Sequence, residues 1–208
     1  MNKEVELEYN KLCAKKSDIN EHLPTLQRYA TECNSVFETG VRGCVSTWAF
    51  VYGLLSNNKK DKILLLNDIT NCNIEHLLKV TANLPIEISY EWKNNLDIIL
   101  PHKFDLTFID TWHVYGQLKR ELAKFSEYTN KFIIMHDTTV DGVNGQTIRM
   151  GSNAQRQSVE SGFPLEEINK GLWPAVEEFL EKHPEWVLHE RYTNNNGLTI
   201  LKRVCYVS

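Results

Sequence analysis

Apolar residues change period along the chain, and the changes mark alternating helices and strands. Near the start Val5, Tyr9 and Leu12 recur at i, i+4 and i+7, which predicts an amphipathic helix over about residues 4–15. In the polar stretch that follows, Asp18 and Glu21 have the spacing of a capping box and Pro24 suits a helix first turn, with His22 between them. Ser35-Val36-Phe37 reads as the end of a buried strand, and Trp48, Phe50, Val51, Leu54 and Leu55 then recur at helical spacing. Short apolar runs over residues 62–68, 105–110 and 131–137 each end in an acid, as buried parallel strands with a ligand at their carboxyl ends would. Residues 75–84 and 95–100 read as helical, 86–90 as a strand, and Leu118, Leu122 and Phe125 as a helix face. Leu172, Val176, Phe179 and Leu180 mark another helix, and residues 185–193 and 198–203 form a hairpin around Asn196-Gly197.

This alternation calls for an α/β fold: a Rossmann-like doubly wound sheet, mostly parallel, closed by a C-terminal antiparallel hairpin. A chain of 208 residues is expected to form one domain, with N-terminal helices within residues 1–33. Periodicity fails over residues 139–170, read as turns and as a substrate lid in which Arg149 and Arg156 are either solvated or acceptor contacts. Composition narrows the class. Hydrophobic residues make up 42% and charged ones 24%, so disorder falls away. The net charge of −4, with both signs interspersed, argues against a nucleic-acid partner. No apolar run reaches membrane-spanning length and the N-terminal residues are acidic, so no membrane partner and a cytoplasmic location are expected. Cys13, Cys33, Cys44, Cys72 and Cys205 show no C-x-x-C spacing and read as reduced thiols, Cys44 being near a helix start and a candidate for some reactivity.

The chemistry concentrates at strand ends. Gly40 and Gly43 permit a sharp strand-to-helix turn whose helix presents unpaired N–H groups to an anion, while Glu38 stands beside it as an acceptor. Such a site suits a ligand with hydroxyls or an ammonium at one end and a carboxylate or phosphate at the other. Asp68 is placed to accept from ribose hydroxyls. Asp110 and Asp137 end strands expected to be neighbours about 4.8 Å apart, so their carboxylates can converge on one cation, with His136 as a third ligand. His113 and His136 are candidate general bases, because imidazole titrates near neutral pH. The turn alone does not separate a sulfonium cofactor from a dinucleotide.

Together, Glu38-Thr39-Gly40-Val41-Arg42-Gly43, Asp68 and the closing hairpin resemble the class I S-adenosylmethionine-dependent methyltransferases. Within that class, Phe108-Ile109-Asp110-Thr111-Trp112-His113-Val114-Tyr115 and Met135-His136-Asp137-Thr138 resemble the sugar and small-molecule O-methyltransferases, including the cephalosporin hydroxylase and rhamnosyl O-methyltransferase group. The resemblance implies that Glu38 lies near the cofactor's amino group or ribose, that Gly40 and Gly43 line its methionine end, and that Asp68 holds the ribose. Ser46 is a further candidate contact. Arg42 stands where the family often has glycine, and its guanidinium could meet the cofactor carboxylate. The resemblance also implies a divalent metal, magnesium or manganese, and methyl transfer to a hydroxyl of a sugar or glycan, a deoxyhexose such as rhamnose being favoured over a catechol-like or other small alcohol. Two other classes stay open: an NAD-dependent oxidoreductase, opposed by Glu38 where a diphosphate would lie, and a catalytically silent cofactor-fold binding module.

Overall fold

Strand β1 (Ser35–Thr39) is buried at every position in the computed structural model, which describes residues 2–204. It has parallel neighbours on both edges, β2 (Lys62–Asp68) and β4 (Phe104–Ile109), and β3 (Ile86–Trp92) pairs in parallel with the far side of β2. Val36, Phe37, Leu64, Leu66, Phe104, Leu106 and Phe108 fill this part of the core, as continuous apolar strands between two layers must. Four helices belong with these strands: α1 (Lys3–Ala14), α2 (Leu23–Thr31), α3 (Val45–Ser56) and α4 (Glu75–Thr81). Helix α3 is buried along most of its length and passes so near α2 that a Cβ on Gly53 would lie 2.4 Å from the carbonyl oxygen of Gln27. The register pairs Thr39 with Asn67, and Gly40 N–H donates to Asn67 O at 2.9 Å. The turn after β1 and the acid ending β2 therefore leave the sheet side by side.

The chain forms two compact units, one up to Ile109 and one from Asp110 onward, and no Pro- or Gly-rich linker marks the divide. In the second unit β7 (Leu198–Arg203) runs antiparallel between β5 (Thr129–His136) and β6 (Trp186–Tyr192). Helix α9 (Trp173–Lys182) packs on α5 (Tyr115–Phe125), burying Leu118, Leu122, Phe125, Val176 and Phe179. The hairpin turn carries positive φ at Asn195 (43°), Asn196 (70°) and Gly197 (99°), as its sequence requires. A side chain at 197 would meet Thr139 Oγ1 at 2.3 Å, and Asn196 O accepts from Thr139 and Val140 N–H at 3.0 and 2.9 Å. The turn thus pins the start of the segment expected to lack structure.

That segment holds three short helices, α6 (Gln146–Arg149), α7 (Ala154–Ser161) and α8 (Leu165–Asn169). Each is too short to show a period. Asn153 caps α7 through Arg156 N–H, Gly162 ends it at φ 73°, and an Asn144–Lys170 bridge ties the segment's ends together. Two other expectations are corrected. Residues 95–100 give only a single 3-10 turn at Asn95–Asp97, and no side chain caps α2, because a 3-10 turn at Asn20–His22 precedes it and Asp18 turns to Arg42. Cys13, Cys33, Cys44 and Cys72 are free thiols, and Cys205 lies outside the described residues. No helix among the described residues is long and apolar enough to cross a membrane.

Candidate active site

The turn after β1 is a run of left-handed backbone, with φ of 93° at Gly40, 45° at Arg42 and 58° at Cys44. It delivers the chain into α3, whose first turn has no side-chain cap, so its N–H groups are available to an anion. A Cβ at Gly43 would meet nothing within 4 Å, so the turn borders open space. Glu38 is fully buried and accepts a short hydrogen bond from the Ser46 hydroxyl, which directs Ser46 to the acid. Asp68 accepts from Arg42 N–H at 2.9 Å through Oδ2, and from the N–H and hydroxyl of Thr70 at 2.8 Å through Oδ1. Burial pushes the Asp68 carboxyl up, but these hydrogen bonds outweigh it and hold its pKa below the ordinary value. The Cys72 thiol adds a further hydrogen bond, so all of the roughly four acceptor positions of the Asp68 carboxylate face donors. The donors and acceptors here fit S-adenosylmethionine. Arg42 does not fold over this turn: its side chain is 78% exposed and its Nη2 pairs with Asp18 at 2.9 Å. The Cys44 thiol is pushed up to about 12 by burial and by the nearby Glu38, the opposite of a reactive thiolate.

The second unit carries a denser cluster. Asp110 follows β4 directly, and Asp137 follows β5 in a left-handed conformation with φ 58°, which Asp tolerates better than most residues. His113 sits among the acids. Its Nε2 is 3.1 Å from Asp110 Oδ1, and its Nδ1 is 2.9 Å from Asp137 Oδ2 and 3.2 Å from Asp141 Oδ2. His136 Nδ1 is 3.4 Å from Asp110 Oδ1, and its Nε2 is 3.2 Å from Asn195 O. Asp141 is fully buried and gripped by Arg149, with Nε to Oδ1 at 2.6 Å and Nη2 to Oδ2 at 2.8 Å.

Mutual pairing works against burial at Asp110, His113, His136 and Asp141. Burial pushes the Asp110 carboxyl up, yet hydrogen bonds from His113 and His136 hold it well below the usual carboxylate range. Burial likewise pushes His113 down, and its contacts with Asp110, Asp137 and Asp141 carry it well above its ordinary value. His136 is raised in the same way against its burial, by Asp110 and Asp137, and Asp141 is lowered against its burial by Arg149 and His113. Asp137 Oδ1 is buried and accepts no hydrogen bond among the described residues, an acceptor that a cation would satisfy. Donor atoms of Asp110, His113 and Asp137 lie within 4.8 Å of one another, close to the spread of ligands around one ion. The trio includes His113, whereas the sequence set His136 as the third ligand.

No protein-family model and no curated protein sequence matches the chain. Solved structures do. The O-methyltransferase from Bacillus cereus in complex with S-adenosylhomocysteine superposes with a TM-score of 0.62 at 14% identity, covering 98% of this chain and 92% of that one. The class I methyltransferase fold is therefore the fold of this chain. The S-adenosylhomocysteine-bound methyltransferase PaMTH1 of Podospora anserina has a TM-score of 0.59 at 12% identity, covering 97% of this chain and 88% of that one. The N-methyltransferase NodS of Bradyrhizobium japonicum, in complex with the same product, has a TM-score of 0.57 at 14% identity, with 97% of each chain covered. Since one of these proteins is an O-methyltransferase and another an N-methyltransferase, the fold leaves the acceptor atom open.

On this methyltransferase fold, Glu38, Gly40, Gly43, Ser46 and Asp68 gather at one turn, while Asp110, His113, His136 and Asp137 gather in the second unit. Arg42 belongs to the first group by backbone only. Two further residues that touch His113, Asp141 through Nδ1 and Gln146 through the His113 N–H at 3.3 Å, had no functional reading in the sequence. Asp141 is followed by glycine and looks like a turn residue, and Gln146 lies where no periodicity is visible.

Proposed function

We propose that the chain is an S-adenosylmethionine-dependent O-methyltransferase that modifies a hydroxyl of a sugar or glycan, a deoxyhexose such as rhamnose being the favoured acceptor. The observation that carries this reading is the imidazole of His113, held 3.1 Å from Asp110 and 2.9 Å from Asp137 on the methyltransferase fold. Glu38, Asp68, Gly40, Gly43 and the first turn of α3 would hold the cofactor, which supplies an electrophilic methyl group when bound. Ser46 acts by orienting Glu38.

A sugar hydroxyl is a poor nucleophile at neutral pH and must lose its proton as it attacks. His113 is the base in this reading. Its Nδ1 faces Asp137 and Asp141 and its Nε2 faces Asp110 Oδ1 at 3.1 Å, so a hydroxyl that displaced Asp110 from Nε2 would hand its proton to the neutral imidazole, and the same acids would stabilise the imidazolium that results. His136, raised in pKa by Asp110 and Asp137, is the second candidate for that proton. Asp110 and Asp137 would hold a magnesium or manganese ion, whose contribution is to lower the pKa of a bound hydroxyl. Residues 139–170 cover the acceptor and align it. The sugar assignment rests on the resemblance of residues 108–115 and 135–138 and on the polar character of that segment. The free thiols favour a reducing, cytoplasmic setting.

The test is incubation with S-adenosylmethionine and a panel of deoxysugar glycosides, catechols and primary amines, with and without chelator, read by mass spectrometry. A one-methyl mass gain on a glycoside hydroxyl, lost in chelator, is the expected result. Methylation of amines alone would overturn the O-methyltransferase assignment.

A further inference from the structure

Helix α6 lies in a segment whose arginines read in sequence as acceptor contacts or solvated residues. From its contacts we infer that α6 is a clamp on His113, and that Gln146 and Arg149 are positioning residues acting through the His113 backbone and through Asp141. The catalytic meaning of the clamp rests on the reading of His113 as the proton acceptor.

One end of α6 reaches His113 directly and the other reaches Asp141. At its start, Gln146 N–H donates to His113 O at 2.8 Å, and His113 N–H donates back to Gln146 Oε1 at 3.3 Å. This reciprocal pair sets the height of the His113 backbone. At its end, Arg149 closes its guanidinium fork on both oxygens of Asp141, at 2.6 and 2.8 Å. Asp141 has no exposed surface, and a carboxylate buried to that extent needs a cation in good geometry. Its backbone is pinned as well, the N–H donating to Asp137 O at 3.0 Å and the carbonyl accepting from Leu172 at 2.9 Å. Asp141 Oδ2 is therefore a fixed acceptor 3.2 Å from His113 Nδ1, beside Asp137 Oδ2 at 2.9 Å, and a fixed acceptor at a ring nitrogen holds the ring's orientation.

Arg149 has little left for an acceptor molecule. Its Nε and Nη2 are engaged by Asp141, and its Nη1 faces the Met150 sulfur at 3.8 Å. The far end of the segment holds α6 in place. Gly145 N–H donates to Asn169 O at 3.0 Å, and a Cβ on Gly145 would lie 2.8 Å from Ile168 O. Order in residues 139–170 is thus coupled to the direction of one imidazole.

The experiment uses the full chain labelled with 15N-histidine, its His113 ring signals assigned by His113→Gln, and needs no acceptor. Arg149→Gln and Gln146→Ala are each expected to shift the His113 ring nitrogens and to speed exchange of its ring N–H by about tenfold or more, while His22, His76, His102 and His189 stay unchanged. Arg149→Lys should restore only part of the wild-type signal, because a cation beside Asp141 is kept while the two-point fork is lost. If Arg149→Gln does not fold, Gln146→Ala decides. His113 signals and exchange indistinguishable from wild type in every folded variant would overturn the clamp. Calorimetry with S-adenosylhomocysteine on the same samples is the separate arm. Failure of wild type to bind it would sink the methyltransferase reading and leave the clamp to the spectra.

Discussion

The turn after β1 and the cluster around His113 solve opposite problems. In the turn, left-handed backbone and single hydrogen bonds do the positioning, and each polar group has its own partner: Ser46 for Glu38, Arg42 N–H and Thr70 for Asp68. Around His113, three carboxylates, two imidazoles and a guanidinium share partners, so removing one group strips several others of a partner. A site of separate contacts loses function piecemeal when one is removed. A site of shared charges loses it together.

The largest effect is therefore expected in the cluster. Asp110→Ala and Asp137→Ala should each lower methyl-transfer turnover by about 10²–10⁴-fold while S-adenosylhomocysteine affinity, measured by calorimetry, changes by no more than about twofold. An equal loss of affinity would erase the distinction between the two regions. Excess chelator should reproduce that turnover loss in wild type and leave product binding intact, as metal-assisted activation of a hydroxyl requires. Turnover that persists in chelator would leave His113 acting without a cation.

Smaller, graded effects are expected at the turn. Gly40→Ala forces a side chain into a φ of 93° and should cost about 1–2 kcal/mol in urea unfolding, with weaker S-adenosylhomocysteine binding and an unchanged turnover at saturating cofactor. Glu38→Ala strips the buried Ser46 hydroxyl of its acceptor and should cost about 1–3 kcal/mol by the same measurement.

The smallest effect concerns pH. The folded pKa of Asp68 is depressed by Arg42 N–H and Thr70 against the opposing effect of burial. A depressed carboxyl contributes stability above its unfolded value of about 3.9 and loses it as pH falls through the lower folded value. The unfolding free-energy gap between wild type and Asp68→Asn should accordingly be flat from neutral pH down to that region and shrink below it. A gap that widens on acidification would contradict the assigned hydrogen bonds.

How much of this was legible in the sequence follows the same divide. Strand ends were readable because buried parallel strands are continuous apolar runs, so Glu38, Asp68, Asp110 and Asp137 could be placed from the runs that precede them. The Asn-Gly hairpin was readable because its dihedrals demand those residues. Ring directions were not. Nothing in the spacing of His113 and His136 says which imidazole falls between the two acids, and the short helices that decide it, α6 above all, span too few residues to leave a period. Asp18 misled for a related reason. Its spacing to Glu21 imitates a capping box, whereas its carboxylate pairs with Arg42, 24 residues on. Local spacing is a weak guide wherever a long-range partner competes for the same side chain.

The two regions meet in one question, whether the turn holds a methyl donor at all. Calorimetric titration of the full chain with S-adenosylhomocysteine and with NAD, in the presence of chelator, answers it. Saturable binding of S-adenosylhomocysteine at one site per chain, weakened in Gly40→Ala, with no heat from NAD, is the expected result. Saturable NAD binding with no response to S-adenosylhomocysteine would contradict the methyl-donor site.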